Sequence, residues 1–383
     1  MCFILAYNNV KGMDLDDMKK NNVLQILNYS AVYRGNFIDS LAELGKALKK
    51  QNREMSYLFC SQAKEGESLI WINEMMLAGD KIDFYSGSIN EDIKHTKKII
   101  RSNNISIVHV HFFSAKLLFI VKMAVIGEGV TVLLHFHNHP QKANNPLKSA
   151  FRKLIYNNFI LIGVSHSVSK SLKRYFPNNT IYEVENAIKF SRIDSFETLD
   201  KNDYGIKESS YLCLIFGFDY YRKGVDLAIK AISAARDTGK DICLVVSLST
   251  NHSSIKKAIE SEFGELPDWV KLVKARNDVA SYYHIADAFL SPSREEGFCY
   301  SAIEAAYCGC TVIASRIPAQ QDLNVPGSKW FKSENVKELT ELICEAADNR
   351  TTITKEQKQQ LKNRYNISKW VKHIIWIYKR DNK

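Results

Sequence analysis

The sequence predicts an α/β fold built from two doubly wound domains. The chain has 383 residues, which is more than one ordinary hydrophobic core holds and suits two domains of about 190 residues each. In both halves, short apolar runs typical of buried strands alternate with segments whose apolar residues recur at helical spacing. That alternation is typical of parallel sheets with crossover helices, and its clearest example lies at residues 289–315.

Residues 289–315 are predicted to form one strand–helix–strand unit. An apolar run at 288–290 ends before Pro292, which cannot continue a central strand. After a polar loop, residues 300–308 carry apolar side chains at helical spacing, and Gly309 is suited to end that helix. Residues 311–314 are then predicted to form the next buried strand.

Two carboxylates mark this unit, Glu296 in the loop and Glu304 in the helix, with seven residues between them. The free backbone N–H groups around Cys299 to Ser301 form a natural anion site at the start of the helix. Carboxylates beside a phosphate site suit a ligand that also offers hydroxyls, as a sugar nucleotide does, because a carboxylate accepts two hydrogen bonds from a vicinal diol. The alternative interpretation is two solvated glutamates favoured by the helix dipole.

The unit also matches a known signature in residue type and spacing. The matching residues are Ser293, Glu296, Gly297, Phe298, Glu304, Ala305 and Gly309. They resemble the E-x7-E signature of the retaining GT-B glycosyltransferases of family 4, the glycosyltransferase group 1 type. The resemblance implies a GT-B fold, in which two Rossmann-like αβα domains face each other across a cleft and the C-terminal helix crosses back to the N-terminal domain.

The resemblance also implies how this unit binds a nucleotide-sugar donor. Glu304 would hold the ribose, and Glu296 would hold the 3- or 4-hydroxyl of the transferred sugar. Backbone N–H groups would assist Glu296, and they belong to Gly297, Phe298, Cys299 and Tyr300.

The resemblance divides the chain at residue 190. Residues 18–190 are expected to form the acceptor-side domain, residues 191–365 the donor-binding domain, and residues 366–383 a helix whose apolar face packs back on the first domain. Residues 1–17 are interpreted as an N-terminal extension, disordered or from a mis-assigned start. Its Asp14-Leu15-Asp16 is a D-x-D, the metal motif of a different glycosyltransferase fold, but no core strand precedes it.

The first domain is predicted to begin with a strand at 23–27, a glycine-containing loop and a helix that starts near Phe37. The loop lacks G-x-G-x-x-G, so a dinucleotide fingerprint is absent. In the resembled family a glycine amide of this loop closes over the donor phosphates, and Gly35 would be that glycine. The alternative is that Gly35 is only a turn residue.

Five histidines lie at two predicted strand ends, where α/β sheets keep their ligands: His109, His111, His135, His137 and His139. H-x-H is also a metal pattern, so zinc is an alternative, although no carboxylate or cysteine lies beside these histidines in the sequence. In the resembled family one histidine approaches the transferred sugar, and no metal is used. His137 fits that role best and His135 is the runner-up, since alternation along a strand puts both on one face.

In the second domain, Arg222-Lys223-Gly224 lies between a strand at 211–216 and a helix. A fork-shaped guanidinium, a compact ammonium and helix N–H groups suit a diphosphate, and the tripeptide matches a K-G element of the resembled family. The family often has a further arginine earlier, where this chain has Gly217-Phe218. In the resembled family the segment that contains Arg276 lies at the edge of the nucleotide base, so Arg276 is expected to lie there.

Composition sets limits on the location and the partners. No run of 18 apolar residues occurs, a signal peptide is not evident, and eight scattered cysteines fit a reducing cytoplasm. The first 190 residues hold 24 Lys and Arg against 16 Asp and Glu, and the remainder 28 against 26. The basic first half is interpreted as a solvated surface or as a face towards acidic lipid or a pyrophosphate-linked acceptor. No basic stripe with interleaved aromatic residues indicates nucleic-acid binding.

The function expected from the resemblance is retaining transfer of a hexose from a nucleoside-diphosphate sugar, with a UDP-sugar favoured, to an acceptor hydroxyl. Glu296 and His137 would contact the transferred sugar, and no metal or other cofactor is expected. The expected acceptor is a lipid-linked saccharide of bacterial surface polysaccharide, at the inner face of the cell membrane. The alternatives are a soluble acceptor, a catalytically inactive partner subunit and a UDP-sugar epimerase, which shares the fold but not E-x7-E.

Overall fold

The computed structural model of the protein describes residues 22–60, 70–141, 145, 152–248 and 252–380. The extension at 1–17 and its Asp14-Leu15-Asp16 therefore lie outside the described residues. Within the described part, two parallel sheets are formed, and the first strand of each, β1 and β8, is almost wholly buried because both faces of the sheet are covered by helices.

The first sheet has seven strands in the order β3-β2-β1-β4-β5-β6-β7. The strands are β1 Asn22–Leu27, β2 Met55–Phe59, β3 Lys81–Phe84, β4 Ile105–His111, β5 Thr131–Phe136, β6 Ile160–Gly163 and β7 Ile181–Glu183. The helices are α1 Asn36–Lys49, α2 Ile70–Leu77, α3 Ile89–Ser102, α4 Ala115–Ala124 and α5 His166–Tyr175.

The second sheet has six strands in the order β10-β9-β8-β11-β12-β13. The strands are β8 Tyr211–Phe216, β9 Ile242–Leu248, β10 Val270–Lys274, β11 Ala288–Ser291, β12 Thr311–Ser315 and β13 Lys329–Phe331. The helices are α6 Val225–Asp237, α7 His252–Phe263, α8 Ala280–Ile285, α9 Tyr300–Cys308, α10 Pro318–Gln321, α11 Val336–Asp348 and α12 Lys355–Arg364.

Each sheet reverses its strand order once, between β1 and β4 in the first sheet and between β8 and β11 in the second. Crossover connections leave in opposite directions at such a point, so a crevice opens at the carboxyl ends of the two strands. The loops that leave β1, β8 and β11 carry Gly35, Lys223 and Glu296, and the His-rich segments lie at the carboxyl ends of β4 and of its neighbour β5. The topology therefore gathers the residues singled out in the sequence.

The last helix, α13 (Ile367–Arg380), packs on α1 of the first domain, as predicted from its apolar face. Trp370, Ile374 and Tyr378 are buried in one cluster with Leu41 and Leu44. The chain thus passes twice between the domains. At the crossing the Ile188 N–H donates to the Tyr365 carbonyl oxygen at 2.9 Å, and Ile188 forms a parallel bridge with Asn366.

The charged stretch at 333–364 contains two helices, α11 and α12. Residues 349–354 separate them, and Thr354 caps α12 through a capping box with Gln357. The short strands β3, β7 and β13 were not predicted, because edge strands of three or four residues carry little periodicity. No helix among the described residues has the length and apolar character needed to cross a bilayer.

Candidate active site

Glu304 lies in the second turn of α9 and is 5% exposed. Its Oε1 accepts a hydrogen bond from Asn36 Nδ2 at 2.6 Å, and its Oε2 accepts one from the Tyr283 hydroxyl at 3.0 Å. Asn36 belongs to α1 of the first domain, so this bond crosses the cleft. An ionised carboxylate offers about four lone-pair positions. The two bonds therefore orient Glu304 and still leave each oxygen able to accept from a ligand.

Glu296 is 6% exposed and is held by donors of its own domain. Its Oε1 accepts from Lys223 Nζ at 2.5 Å and from Ser293 Oγ at 2.8 Å. Its Oε2 lies 3.8 Å from Arg222 Nη1, while Arg222 Nε bonds Asp219 Oδ2 at 3.0 Å. The predicted diphosphate pair and the predicted sugar-binding carboxylate thus form one charged cluster.

Arg294 clamps the loop of Lys223 to the loop of Glu296. Its guanidinium makes two 2.8 Å bonds to the carboxylate of Asp226, stacks on Tyr221 at 3.7 Å and also pairs with Glu334. The hydrogen bonds that Arg294 donates to Asp226 raise the pKa of Arg294 above its ordinary value. Because this fork–fork geometry fixes distance and angle together, the two loops keep a constant separation.

Two glycines allow close backbone approaches around this cluster. Gly224 has φ +70°, and a Cβ there would lie 2.2 Å from the carbonyl oxygen of Pro292. A Cβ on Gly297 would lie 1.9 Å from the carbonyl oxygen of His137, which belongs to the first domain. The loop of Glu296 therefore touches the strand end of His137 across the cleft, and only glycine permits that contact.

The start of α9 keeps the geometry of an anion site. Cys299 is the N-cap residue and makes no side-chain cap, so the N–H groups of the first turn remain available to a ligand. Phe298 is buried edge-on against Tyr300 at 5.0 Å and Tyr365 at 5.8 Å, which holds the loop in place. Burial raises the pKa of the Cys299 thiol, so it is a packing residue and not a nucleophile.

Four of the five strand-end histidines, all but His139, lie close together beneath the cleft. His109, His111 and His135 are fully buried, whereas His137 is partly buried and lines a cavity of about 580 Å³ together with His135. Burial lowers the pKa of all four rings, to about 3 for His135, so they are neutral at pH 7. His135 and His137 lie on one face, as alternation predicts, and the contact with Gly297 favours His137 as the residue nearest the donor.

The ring nitrogens of His109, His111 and His135 lie within 4.8 Å of one another, which is the arrangement that a zinc site would need. Both nitrogens of His111 are already engaged, however, Nε2 with Gln25 Oε1 at 2.9 Å and Nδ1 with His137 Nε2 at 3.2 Å. A metal would have to break one of those bonds, and the group includes no carboxylate to offset a buried dication. The residues present therefore fit a neutral hydrogen-bonded cluster better than a metal centre.

The second half of the chain is similar to a known protein family. Residues 196–367 match the family profile described as "Glycosyl transferases group 1". The segment contains Lys223, Glu296 and Glu304, the charged cluster described above.

One curated relative is the O-antigen biosynthesis glycosyltransferase WclY of Escherichia coli, which is 28% identical over 151 residues. That match covers 36% of this chain and 43% of the relative, so the chain spans less than half of that protein's length. Two solved structures resemble almost the whole chain. A glycosyltransferase from Rickettsia africae has a TM-score of 0.77 at 17% identity and covers 94% of this chain and 98% of its own.

The second solved structure is HepE of Anabaena in complex with UDP and glucose, which has a TM-score of 0.75 at 12% identity. It covers 94% of this chain and 99% of its own. At these identities the likeness shows the fold, and the fold is GT-B. The predicted fold class, with two Rossmann-like domains around a cleft, is confirmed.

The remaining predicted residues take clear positions around the glycosyltransferase domain. Gly35 is the N-cap of α1 and directly precedes Asn36, so its loop does face Glu304. Arg276 pairs with Glu197 of the linker, and its neighbour Asn277 lines a large cavity of about 1190 Å³ between the domains. The described contacts of Arg276 therefore do not bring it to Glu296 or Glu304, and its role at the base stays a prediction.

Several residues that organise the site were missed in the sequence. Arg192 of the linker lies 4.0 Å from Glu304 Oε1 and 3.3 Å from Asp39 Oδ2, and Asp39 also pairs with Arg34 at 2.9 Å. Asn36 could have been found, because it follows the glycine of a predicted ligand loop. Arg192 and Tyr283 carry no signal of their own, since only the packing of the two domains brings them to Glu304.

Proposed function

We propose that the protein is a retaining glycosyltransferase that transfers a hexose from a nucleoside-diphosphate sugar to an acceptor hydroxyl. The observation that carries the proposal is the pair Glu296 and Glu304, each oriented by hydrogen bonds and each left with free acceptor positions, at the cleft where Gly297 touches His137. An inactive partner subunit is the alternative, but the intact pair of carboxylates and Lys223 favours an enzyme.

In the proposed reaction, Glu304 accepts hydrogen bonds from the ribose and Glu296 from the 3- or 4-hydroxyl of the sugar. Lys223, Arg222 and the first turn of α9 stabilise the negative charge that develops on the leaving diphosphate, usually the largest electrostatic task in such a transfer. The bond from the anomeric carbon to the diphosphate oxygen breaks while the acceptor oxygen bonds the same face. The acceptor proton passes to the leaving diphosphate, so neither a metal nor a protein base is required.

We favour UDP as the nucleotide and a lipid-linked saccharide as the acceptor. A protein of the same fold, HepE, binds UDP and glucose, and a relative of the second domain, WclY, acts in O-antigen biosynthesis. The first domain carries the excess positive charge, and Phe119, Met123 and Ile126 expose apolar side chains at and just after α4. Such a surface supports peripheral contact with an anionic membrane. A soluble acceptor would need none of these features.

The test is a thermal-shift screen of UDP, GDP, ADP and their sugars. A ligand that binds the native state raises the midpoint, by an amount that follows its concentration relative to Kd. We expect UDP and a UDP-hexose to stabilise the wild type and Glu345→Ala, an exposed glutamate of α11, but not Glu304→Ala. The absence of a shift with every nucleotide would contradict the proposal. The anomeric configuration of the product, followed by NMR, then tests retention.

A further inference from the structure

A row of hydrogen bonds runs beneath the cleft from Met55 to His137. Gln25 Nε2 donates to Met55 Sδ at 3.4 Å, and Gln25 Oε1 lies 2.9 Å from His111 Nε2. His111 Nδ1 then lies 3.2 Å from His137 Nε2. Gln25 and His111 are fully buried, so bulk water does not compete for these bonds. The row is therefore a fixed part of the floor of the cleft.

The row has a direction, which its first member sets. A thioether sulfur can only accept a hydrogen bond, so Gln25 turns its amide nitrogen towards Met55 and its carbonyl oxygen towards His111. The carbonyl oxygen can only accept, so His111 carries its proton on Nε2. A neutral imidazole has one N–H, which makes His111 Nδ1 an acceptor, and His137 must then donate from Nε2.

The tautomer of His137 determines which of its ring nitrogens is free to accept a hydrogen bond. With its proton on Nε2, the neutral ring of His137 leaves Nδ1 as a hydrogen-bond acceptor, and Nδ1 has no partner in the described part of the chain. The ring plane is fixed by stacking on Phe112 at 4.0 Å and by an edge contact with Phe37 at 4.9 Å. Both the orientation and the tautomer of His137 are thus set before a substrate arrives.

We propose that Gln25 and His111 are positioning residues that fix His137 in the tautomer whose Nδ1 accepts a hydrogen bond from a hydroxyl of the transferred sugar. This inference rests on the proposed function, which brings the sugar to His137. The unprotonated Nδ1 also determines which sugars the site accepts. A sugar hydroxyl can donate to this nitrogen, whereas a carboxylate at the same position would place two acceptors together and leave both unpaired. The site therefore selects a neutral hexose over the corresponding uronic acid.

The structure supplies a matched control for the row. The Tyr378 hydroxyl accepts from Gln25 Nε2 at 3.1 Å and lies 2.7 Å from His109 Nδ1. Tyr378 is as buried as Gln25, but a hydroxyl both donates and accepts, so this side branch imposes no direction on the row. Removing that hydroxyl perturbs the same core without touching the path to His137.

The experiment is ¹⁵N NMR of the histidine rings in the full chain without a ligand, with the His137 signals assigned through His137→Gln. We expect His137 to be protonated on Nε2 in the wild type and in Tyr378→Phe. Gln25→Met is expected to give a mixture of tautomers. Protonation on Nδ1 in the wild type overturns the proposal even if Gln25→Met does not fold, and so does a pure Nε2 tautomer in Gln25→Met.

Kinetics with the donor completes the test. Gln25→Met is expected to lower kcat about tenfold with little change in the donor KM, whereas Tyr378→Phe stays within about threefold of the wild type. Equal losses in Gln25→Met and Tyr378→Phe would indicate a purely structural role and overturn the assignment. If no UDP-sugar reacts or binds, the proposed function has failed, and the tautomer in the free protein still decides whether the row is directional.

Discussion

The two sheets present their carboxyl ends to the same cleft with different chemistry. On the second sheet, Lys223, Glu296 and Arg294 form ion pairs within two adjoining loops. On the first sheet, His111 and His137 are neutral and are linked by hydrogen bonds to residues far away in the chain. The charged side suits a ligand whose charge changes during the reaction, and the neutral side suits one that must only be oriented. Under the proposed function, donor activation would therefore lie in the second domain and sugar positioning in the first.

Acidification should destabilise the buried histidine cluster of the first domain more than the charged cluster of the second. The pKa of His109, His111, His135 and His137 is lowered in the folded state, so below an unfolded pKa of about 6.5 the unfolded chain binds protons that the folded chain does not. Stability is therefore lost as the pH falls. We expect each ring to cost about 1.4 kcal/mol between pH 7.5 and 5.5, on the order of 5 kcal/mol in total.

Urea unfolding at the two pH values measures this loss. His135→Leu tests whether the buried rings cause the loss, since neither ring nitrogen of His135 has a hydrogen-bond partner in the described residues. It should leave stability at pH 7.5 unchanged or higher and reduce the loss on acidification by about a quarter. A loss of unchanged size in that variant would show that other groups cause it.

Gly297→Ala should break the contact between the two sides. The added Cβ would lie 1.9 Å from the carbonyl oxygen of His137, so the cleft cannot close to the observed separation. We expect kcat/KM to fall about 100-fold, because misplacement of reacting groups by about 1 Å has an effect of that order. The fold itself should keep its unfolding midpoint, since the clash is between domains.

Gly35→Ala is the matched control in the other loop of the cleft. A Cβ there meets only the Tyr29 hydroxyl at 3.2 Å, and the backbone amide remains available to phosphate. Activity within about threefold of the wild type is expected, and a loss as large as that of Gly297→Ala would refute the steric explanation.

Arg294→Lys should loosen the charged side alone. Lysine cannot reproduce the two parallel bonds to Asp226 or the stacking on Tyr221, so the free energy of unfolding should fall by about 2 kcal/mol and UDP affinity should fall with it. Arg316→Lys, whose side chain is half exposed and pairs at 3.8 Å with Glu338, should change stability by less than about 0.5 kcal/mol. Equal stability losses in Arg294→Lys and Arg316→Lys would mean that the bidentate pairing of Arg294 with Asp226 contributes no more than an ordinary surface ion pair.

Metal removal should have the smallest effect. Since both nitrogens of His111 are engaged, we expect the purified protein to hold less than about 0.1 equivalent of zinc and EDTA to leave transfer unchanged. Stoichiometric zinc that disappears in His135→Gln would instead place a metal among the three buried histidines.

Much of the second domain was predictable, because its ligand residues are close in sequence. Glu296, Gly297 and Glu304 belong to one strand–helix–strand unit, and local spacing alone places them at one helix start. The first-domain side was not predictable in the same way. Gln25, His111 and Tyr378 are joined by bonds that span up to 353 residues, and only the strand order β1-β4-β5 and the return of α13 bring them together.

The paired passage of the chain between the domains has a mechanical consequence. Because the Ile188 N–H donates to the Tyr365 carbonyl oxygen and Ile188 bridges Asn366, the two interdomain connections lie side by side and form one hinge. Rotation of one domain about that hinge would leave the packing of α13 on α1 intact, whereas sliding of one domain past the other would break the bridge between Ile188 and Asn366. Under the proposed function, opening at these two segments would let the donor enter and the spent nucleotide leave.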